Sequence, residues 1–155
     1  ESSIRGRTAA GDVQVMSAGT GVRHAEFNLE DENTTLFQIW IEPDATGGAP
    51  GWGAKQFPKS DRTGAWSILA SGKGDDGALA IRADARVVGA TLEAGQELAW
   101  ETEPHRHVYA VPAPGVIAVD GKRVNARDVI AFTGGSKVVF KAIEGPAEIV
   151  LTDTL

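Results

Sequence analysis

A histidine and a glutamate placed two residues apart are the side chains of this chain best suited to binding a metal ion. His24 and Glu26 stand in residues 23–27, directly after a glycine-rich bend. If that segment is extended, alternate side chains point to one face and both donors point the same way. An imidazole and a carboxylate suit a divalent transition metal, but such ions usually take three or four protein ligands. The pair is therefore half of a candidate metal site, or simply a polar strand face.

A second set of possible ligands lies in the C-terminal half of the chain. His105 and His107 form a His-x-His pair, with Glu101 and Glu103 just before it. Of these, Glu101, Glu103 and His107 would give an oxygen-rich metal site. Pro104 interrupts the alternation of side chains, so the sequence leaves their facing open. The alternative is a polar rim with ordinary histidines.

Composition excludes several other kinds of chemistry. The chain has no cysteine, which rules out disulfides and thiolate metal sites and fits a reducing cytoplasm. The net charge is −6 and no Lys/Arg cluster stands out, so we expect no direct nucleic-acid binding. No apolar run approaches the length of a membrane span, no Gly-x-Ser-x-Gly elbow occurs, and no Walker-type Gly-Lys-Ser/Thr is present. We therefore expect a cytoplasmic protein with neither a membrane nor a nucleic acid as partner.

The pattern of the whole chain is that of an all-β protein. Nineteen glycines and seven prolines are spread along its 155 residues, as expected for short strands joined by tight turns. No stretch keeps apolar residues at helical spacing for three turns, so helix should be scarce. Asp120-Gly121 should form a tight hairpin turn. Strands are predicted at residues 13–16, 35–41, 55–58, 65–70, 78–82, 86–92, 96–100, 107–111, 116–119, 122–124, 128–132, 137–142 and 147–151.

The stretch around His24 resembles the second conserved motif of cupin barrels, in the version found in the pirin family. That version has a Gly-Asp-Val-Gln turn and strand, an Ala-Gly-x-Gly bend and then His-x-Glu. The likeness continues through residues 36–43 and 55–57, is fainter at 75–79, and covers essentially the whole chain. The matching positions of the motif are Gly11, Asp12, Val13, Gln14, Ala18, Gly19, Gly21, His24 and Glu26.

The resemblance implies an all-β cupin, jelly-roll-like fold with two barrels in tandem. Residues 1–45 would be the tail of the N-terminal barrel, carrying the His-x-Glu motif. Residues 46–155 would form the complete C-terminal barrel. We therefore expect the front of the first barrel to be absent, through proteolysis or an internal start. We also expect the strand at 35–41 to seek a partner, either the missing N-terminal segment or a second copy of the chain.

The resemblance also implies a function. In the family, the first barrel binds one iron-like ion through three histidines and one glutamate. His24 and Glu26 would fill two of these places, and the other two histidines would lie before Glu1. Iron would be the expected metal, with nickel, manganese, copper or zinc as alternatives, and only if the missing ligands are supplied. Some family members cleave flavonols such as quercetin with dioxygen, and Glu26 would then act as the catalytic base.

Two alternatives remain open at this point. The protein could bind metal in a regulatory or interaction role without turnover. It could instead be a cupin module that holds a small ligand inside its second barrel, where the family usually carries no metal. The site of Glu101, Glu103, His105 and His107 would belong to that barrel.

Overall fold

In a computed structural model of the chain, which describes residues 5–155, nearly all regular structure is β-strand. Within those residues the helical element is a 3-10 helix at Lys59–Arg62. The strands are β1 Val13–Ser17, β2 Gly51–Lys55, β3 Ser67–Ser71, β4 Leu79–Ala80, β5 Ala85–Leu92, β6 Glu97–Glu101, β7 His107–Pro112, β8 Ile117–Val119, β9 Lys122–Val124, β10 Ile130–Thr133, β11 Lys137–Ala142 and β12 Ala147–Thr154. The all-β prediction is confirmed.

Ten of the strands form two sheets that enclose one core. The larger sheet has the order β10-β7-β12-β5-β3-β4, and the smaller one β6-β11-β8-β9. Along β12, buried and half-buried residues alternate at every position, so one face points inward and the other outward. The inward side chains meet those of β11 in a shared apolar core. Its largest members include Phe140, Leu92, Ile117, Ile149 and Leu151.

The hairpin predicted at Asp120-Gly121 is confirmed. β8 and β9 pair in register from Ile117↔Val124 to Val119↔Lys122, which leaves a two-residue turn. Both turn residues have positive φ, 45° at Asp120 and 80° at Gly121. A tight turn with two positive φ values matches the right-handed twist of the strands it joins, which is why the Asp-Gly pair is informative in the sequence.

The strand predicted at residues 35–41 is wrong. The structure assigns no strand between β1 and β2, and the side chains of Trp40 and Leu36 are 88% and 64% exposed. A strand requires a neighbour to accept and donate its backbone hydrogen bonds, and no described strand pairs with these residues. The apolar, β-branched composition therefore favours a strand, but no strand in residues 5–155 pairs with this segment.

The strand predicted at residues 55–58 is displaced towards the N-terminus. β2 ends at Lys55, because it pairs with β1 from Val13↔Lys55 to Ser17↔Gly51. Pro58 cannot donate a backbone hydrogen bond, and it begins the turn into the 3-10 helix instead. Phe57, between these elements, is buried.

The segment before β2 is fastened to the second barrel near Arg82. The Asp44 amide donates to the Arg82 carbonyl at 2.9 Å, and the Asp84 amide donates to Asp44 Oδ1 at 2.9 Å. The Arg82 guanidinium donates in turn to the carbonyl of Ala49 at 2.8 Å. β1 and β2 lie on opposite sides of the domain boundary predicted between residues 45 and 46, and they pair with each other. The position of that boundary stays a prediction.

Candidate functional site

The His-x-Glu pair lies in the exposed segment between β1 and β2. His24 and Glu26 are both exposed, and neither belongs to a strand. Glu26 is nevertheless connected to the sheet, because the side-chain amide of Gln14 on β1 donates to its Oε1 at 2.5 Å. The glutamate is therefore held against the β1–β2 ribbon by one of its two carboxylate oxygens.

The direction of the Gln14 amide is set by Trp52 on the neighbouring strand. The indole Nε1 of Trp52 donates to Gln14 Oε1 at 3.4 Å. Because an indole N–H can only donate, the amide oxygen must face Trp52 and the amide nitrogen must face Glu26. The interaction thus presents a donor to one oxygen of Glu26, and the other oxygen accepts no hydrogen bond from the described residues. The sequence contained a signal for this role, since Gln14 is part of the motif, but it gave no indication of the contact with Trp52.

A metal ion requires suitable donor atoms and enough of them in one place. Imidazole nitrogen and carboxylate oxygen are the right donor types for a transition metal. Within residues 5–155, however, no group of three or more His, Asp and Glu side chains comes together in a way that could hold an ion. His24 and Glu26 therefore supply part of a ligand set.

The second candidate set lies around the end of β6 and the start of β7. Glu101 and His107 are exposed, as are Glu103 and His105 between the two strands. The residues that point inward are their neighbours Thr102 and Arg106, which are 4% and 2% exposed. His105 has a positive φ of 68°, so Pro104 and His105 form a turn that separates the two pairs. The structure does not bring the four side chains together as ligands of one ion.

The second barrel contains a buried ion pair between Arg106 and Asp153. Arg106 Nε donates to Asp153 Oδ1 at 2.5 Å, and Oδ2 of the same carboxylate accepts from Thr102 at 2.9 Å and from Trp100 at 3.0 Å. Arg106 also donates to Asp84 Oδ1 at 2.7 Å. Burial lowers the pKa of Arg106, but its hydrogen bonds to Asp153 and Asp84 outweigh that effect and the net pKa lies above its usual value. Both carboxylate oxygens of Asp153 are thus occupied by protein donors.

Aromatic side chains fill the space next to this network. The ring of Trp66 meets those of Trp100 and Phe140 edge-on, at centroid distances of 5.6 and 5.4 Å. Its indole N–H donates to the Ala99 carbonyl at 2.7 Å. Edge-to-face aromatic pairs pack closely, and a buried indole N–H needs a hydrogen-bond acceptor of its own, which Ala99 supplies here. This part of the interior is therefore filled by protein side chains.

The two facing sheets, with their shared core and short connecting turns, define a cupin-type β-barrel. The family model described as "Quercetinase C-terminal cupin domain" matches residues 68–154, and the one described as "Pirin" matches residues 2–41. The chain belongs to the pirin family. No helix in residues 5–155 is long and apolar enough to cross a membrane.

Two relatives and one solved structure illustrate the family match. A pirin-like protein of Caulobacter vibrioides is 56% identical over 150 residues, covering 96% of this chain and 64% of the relative. A candidate quercetin 2,3-dioxygenase of Pseudomonas aeruginosa is 51% identical, with the same coverage of 96% and 64%. The crystal structure of bacterial pirin YhhW from Escherichia coli in complex with nickel(II) superposes with a TM-score of 0.83 at 26% identity, covering 95% of this chain and 62% of that one. The chain thus spans less than two thirds of the length of these relatives.

Proposed function

We propose that this chain is part of a pirin-like metal-binding cupin that acts, with a complete first barrel, as a quercetinase-type dioxygenase. His24 and Glu26 contribute two ligands to one divalent transition metal, and Glu26 also accepts the proton of a flavonol hydroxyl. The bound metal would supply Lewis acidity and a place for dioxygen or substrate. Iron is the expected ion, with nickel, manganese, copper and zinc as alternatives. The expected substrate is a flavonol-like small molecule, and the expected compartment is the cytoplasm.

The observation that carries the proposal is the bond between Gln14 and Glu26. It holds one oxygen of the glutamate against β1, and the other accepts no hydrogen bond from the described residues. The comparisons add that a similar pirin was solved with nickel(II) and that a relative is named as a candidate quercetin 2,3-dioxygenase. The remaining ligands must come from a chain segment outside this sequence or from a second copy.

The direct test is dioxygen consumption with quercetin by a protein of the full length of these relatives. The wild-type protein should consume dioxygen only when both flavonol and metal are present. Glu26→Gln should reduce kcat by at least a hundredfold, since general-base catalysis contributes roughly that much. His105→Ala, which removes an exposed histidine of the second barrel, serves as the matched control and should retain full activity. Bound metal without flavonol-dependent uptake would instead support the non-catalytic, regulatory alternative.

A further inference from the structure

Arg62, at the end of the 3-10 helix, is a buried cation with no ion-pair partner among the described residues. The residue is 8% exposed, and its Nε has no hydrogen-bond acceptor. It forms no ion pair with any carboxylate in the described part of the chain. Burial lowers the pKa of Arg62, and the nearby Glu148 raises it by less. A buried charge is normally paired, because its removal from water costs several kcal/mol. Arg62 therefore occupies a position suited to an anion.

The guanidinium lies directly on the central strand β5. A Cβ added at Gly89 would be 2.6 Å from Arg62 Nη1, so only a glycine leaves room for this contact. Gly89 pairs with Val150 of β12 on one side and Ser67 of β3 on the other. Interior strands use most of their backbone groups in ladders on both sides, so few backbone acceptors of β5 remain for Arg62.

A second unpartnered polar group lies on the same face of β5. Thr91 is two residues beyond Gly89, and side chains two residues apart on a strand point the same way. Its Oγ1 is buried and has no hydrogen-bond partner. The backbone of Thr63, the residue after Arg62, forms a bridge with Thr91. Two buried polar atoms without hydrogen-bond partners, Arg62 Nε and Thr91 Oγ1, thus lie on the same face of β5.

Lys59 adds a second positive charge at this location. In a 3-10 helix, side chains three residues apart lie one above the other, which places Lys59 and Arg62 on the same side. Lys59 Nζ is 2.6 Å from Glu148 Oε1, and Glu148 stands directly opposite Thr91 on β12. Asp61, the other carboxylate of the helix, is exposed. Glu148 is paired with Lys59 and acts on Arg62 through its charge, without an ion pair to it among the described residues.

We propose that Arg62, Thr91 and Lys59 form a binding site for a small oxyanion, of the carboxylate or phosphate type. The guanidinium can bind such a group through two parallel N–H donors, and the threonine hydroxyl can provide another. The site lies where the first part of the chain meets the second barrel. A Cβ added at Gly11, in the turn before β1, would be 3.5 Å from Lys59 Cγ. An anion bound here would stabilise that junction, independently of the proposed metal chemistry.

The first experiment measures the melting temperature of this chain in inorganic phosphate against chloride, at constant pH and ionic strength, with acetate as a carboxylate probe. We expect a saturable rise of about 3–6 °C at ten times the Kd for an anion that binds only the folded state. Arg62→Met should abolish the rise and should melt no lower than wild type in chloride, because it removes an unpaired buried charge. Arg127→Met, at an exposed arginine with no side-chain hydrogen bond among the described residues, should keep the full rise.

A second measurement covers the case in which Arg62→Met does not fold. In the wild-type chain, the ¹H–¹⁵N resonance of the Arg62 Nε–H group should shift saturably with phosphate or acetate, while that of Arg127 should not. Arg62→Lys keeps the charge but loses the paired donors, and should bind the same probes at least tenfold more weakly. The proposal is overturned if neither anion shifts the Arg62 resonance. It is also overturned if the anion-dependent rise in melting temperature survives Arg62→Met.

Discussion

Arg106 Nε and Asp153 Oδ1 are 2.5 Å apart in the interior of the second barrel, and both side chains are almost fully buried. The pair joins β12 to the start of β7, and the guanidinium also reaches Asp84 before β5. Thus a cation and a carboxylate are paired inside the second barrel. The polar interior of this barrel is built from an arginine and an aspartate, and not from the histidines that flank Arg106.

Removing one partner of this pair should be strongly destabilising. Arg106→Met leaves Asp153 buried without its charged donor, which typically costs about 3–5 kcal/mol of unfolding free energy. The double variant Arg106→Met with Asp153→Leu should recover most of that loss, because no buried charge remains. Urea denaturation of the two variants and wild type measures both effects. A loss below about 1 kcal/mol for Arg106→Met would show that the pair is not buried in solution.

Asp75 should make the stability of the protein pH-dependent on the acid side. Its carboxylate accepts from Arg86 Nε at 2.8 Å and from Ser71 at 2.5 Å, and these hydrogen bonds hold the pKa of Asp75 below its usual value. A pKa that is lower in the folded state stabilises the fold above the unfolded pKa, near 4. That stability is lost as the pH falls through the folded pKa.

The matching variant is Asp75→Asn, which keeps the shape and loses the charge. Its deficit in unfolding free energy should be largest above about pH 5 and should shrink as the pH falls below about 4. Urea midpoints at pH 7, 4 and 3 would measure this. A deficit that is the same at all three values would mean that Asp75 has an unshifted pKa.

Gln14 should strengthen metal binding without touching the metal. If Glu26 is a ligand, losing the amide that orients it should weaken metal affinity by about 10–100-fold, as is typical for residues that hydrogen-bond a ligand. The measurement is calorimetric titration of Gln14→Leu with nickel(II), in a form of the protein that binds the ion. Gln56→Leu is the control, since Gln56 is exposed and has no side-chain hydrogen bond in the described part of the chain. Equal affinities in the two variants would assign Gln14 no part in the site.

Two glycines on the second barrel should differ sharply in their tolerance of alanine. A Cβ at Gly72 would lie 1.8 Å from the carbonyl oxygen of Ala83, a backbone atom that cannot move aside cheaply. A Cβ at Gly51 would meet only the flexible end of Arg82, at 3.5 Å. Neither glycine has a positive φ, so the contrast is steric. Gly72→Ala should cost about 1–3 kcal/mol in denaturant unfolding and Gly51→Ala under about 0.5; equal costs would contradict this.

The sequence predicted best those elements whose pattern is local. The hairpin at Asp120 and Gly121 needed only two residues with positive φ, and β11 begins and ends where its alternation predicts. Residues 35–41 have the same strand-like composition and form no strand, because pairing depends on a neighbour and not on composition. The turns and the buried strands could therefore be predicted from local sequence patterns. Which strands pair with one another could be seen only in the structure.

The candidate site was predictable only in part, for a related reason. His24 and Glu26 could be selected by their donor types and spacing. The contact of Glu26 with Gln14 depends on how β1 packs against the segment that follows, and the link to Trp52 depends on the register of β1 and β2. In the second barrel the sequence indicated His105 and His107 as possible ligands, whereas the buried residue is Arg106 between them. Which of these side chains point inward could not be predicted, because Pro104 interrupts the alternation of the strand.

Elemental analysis of purified wild-type protein of the relatives' length, beside His24→Ala and His107→Ala variants, shows most directly whether His24 and Glu26 are metal ligands. We expect near-stoichiometric iron, nickel or manganese in the wild type and in His107→Ala, and its loss in His24→Ala. Metal that remains at full occupancy in His24→Ala, or that is lost only in His107→Ala, would contradict this expectation and place the ion in the second barrel.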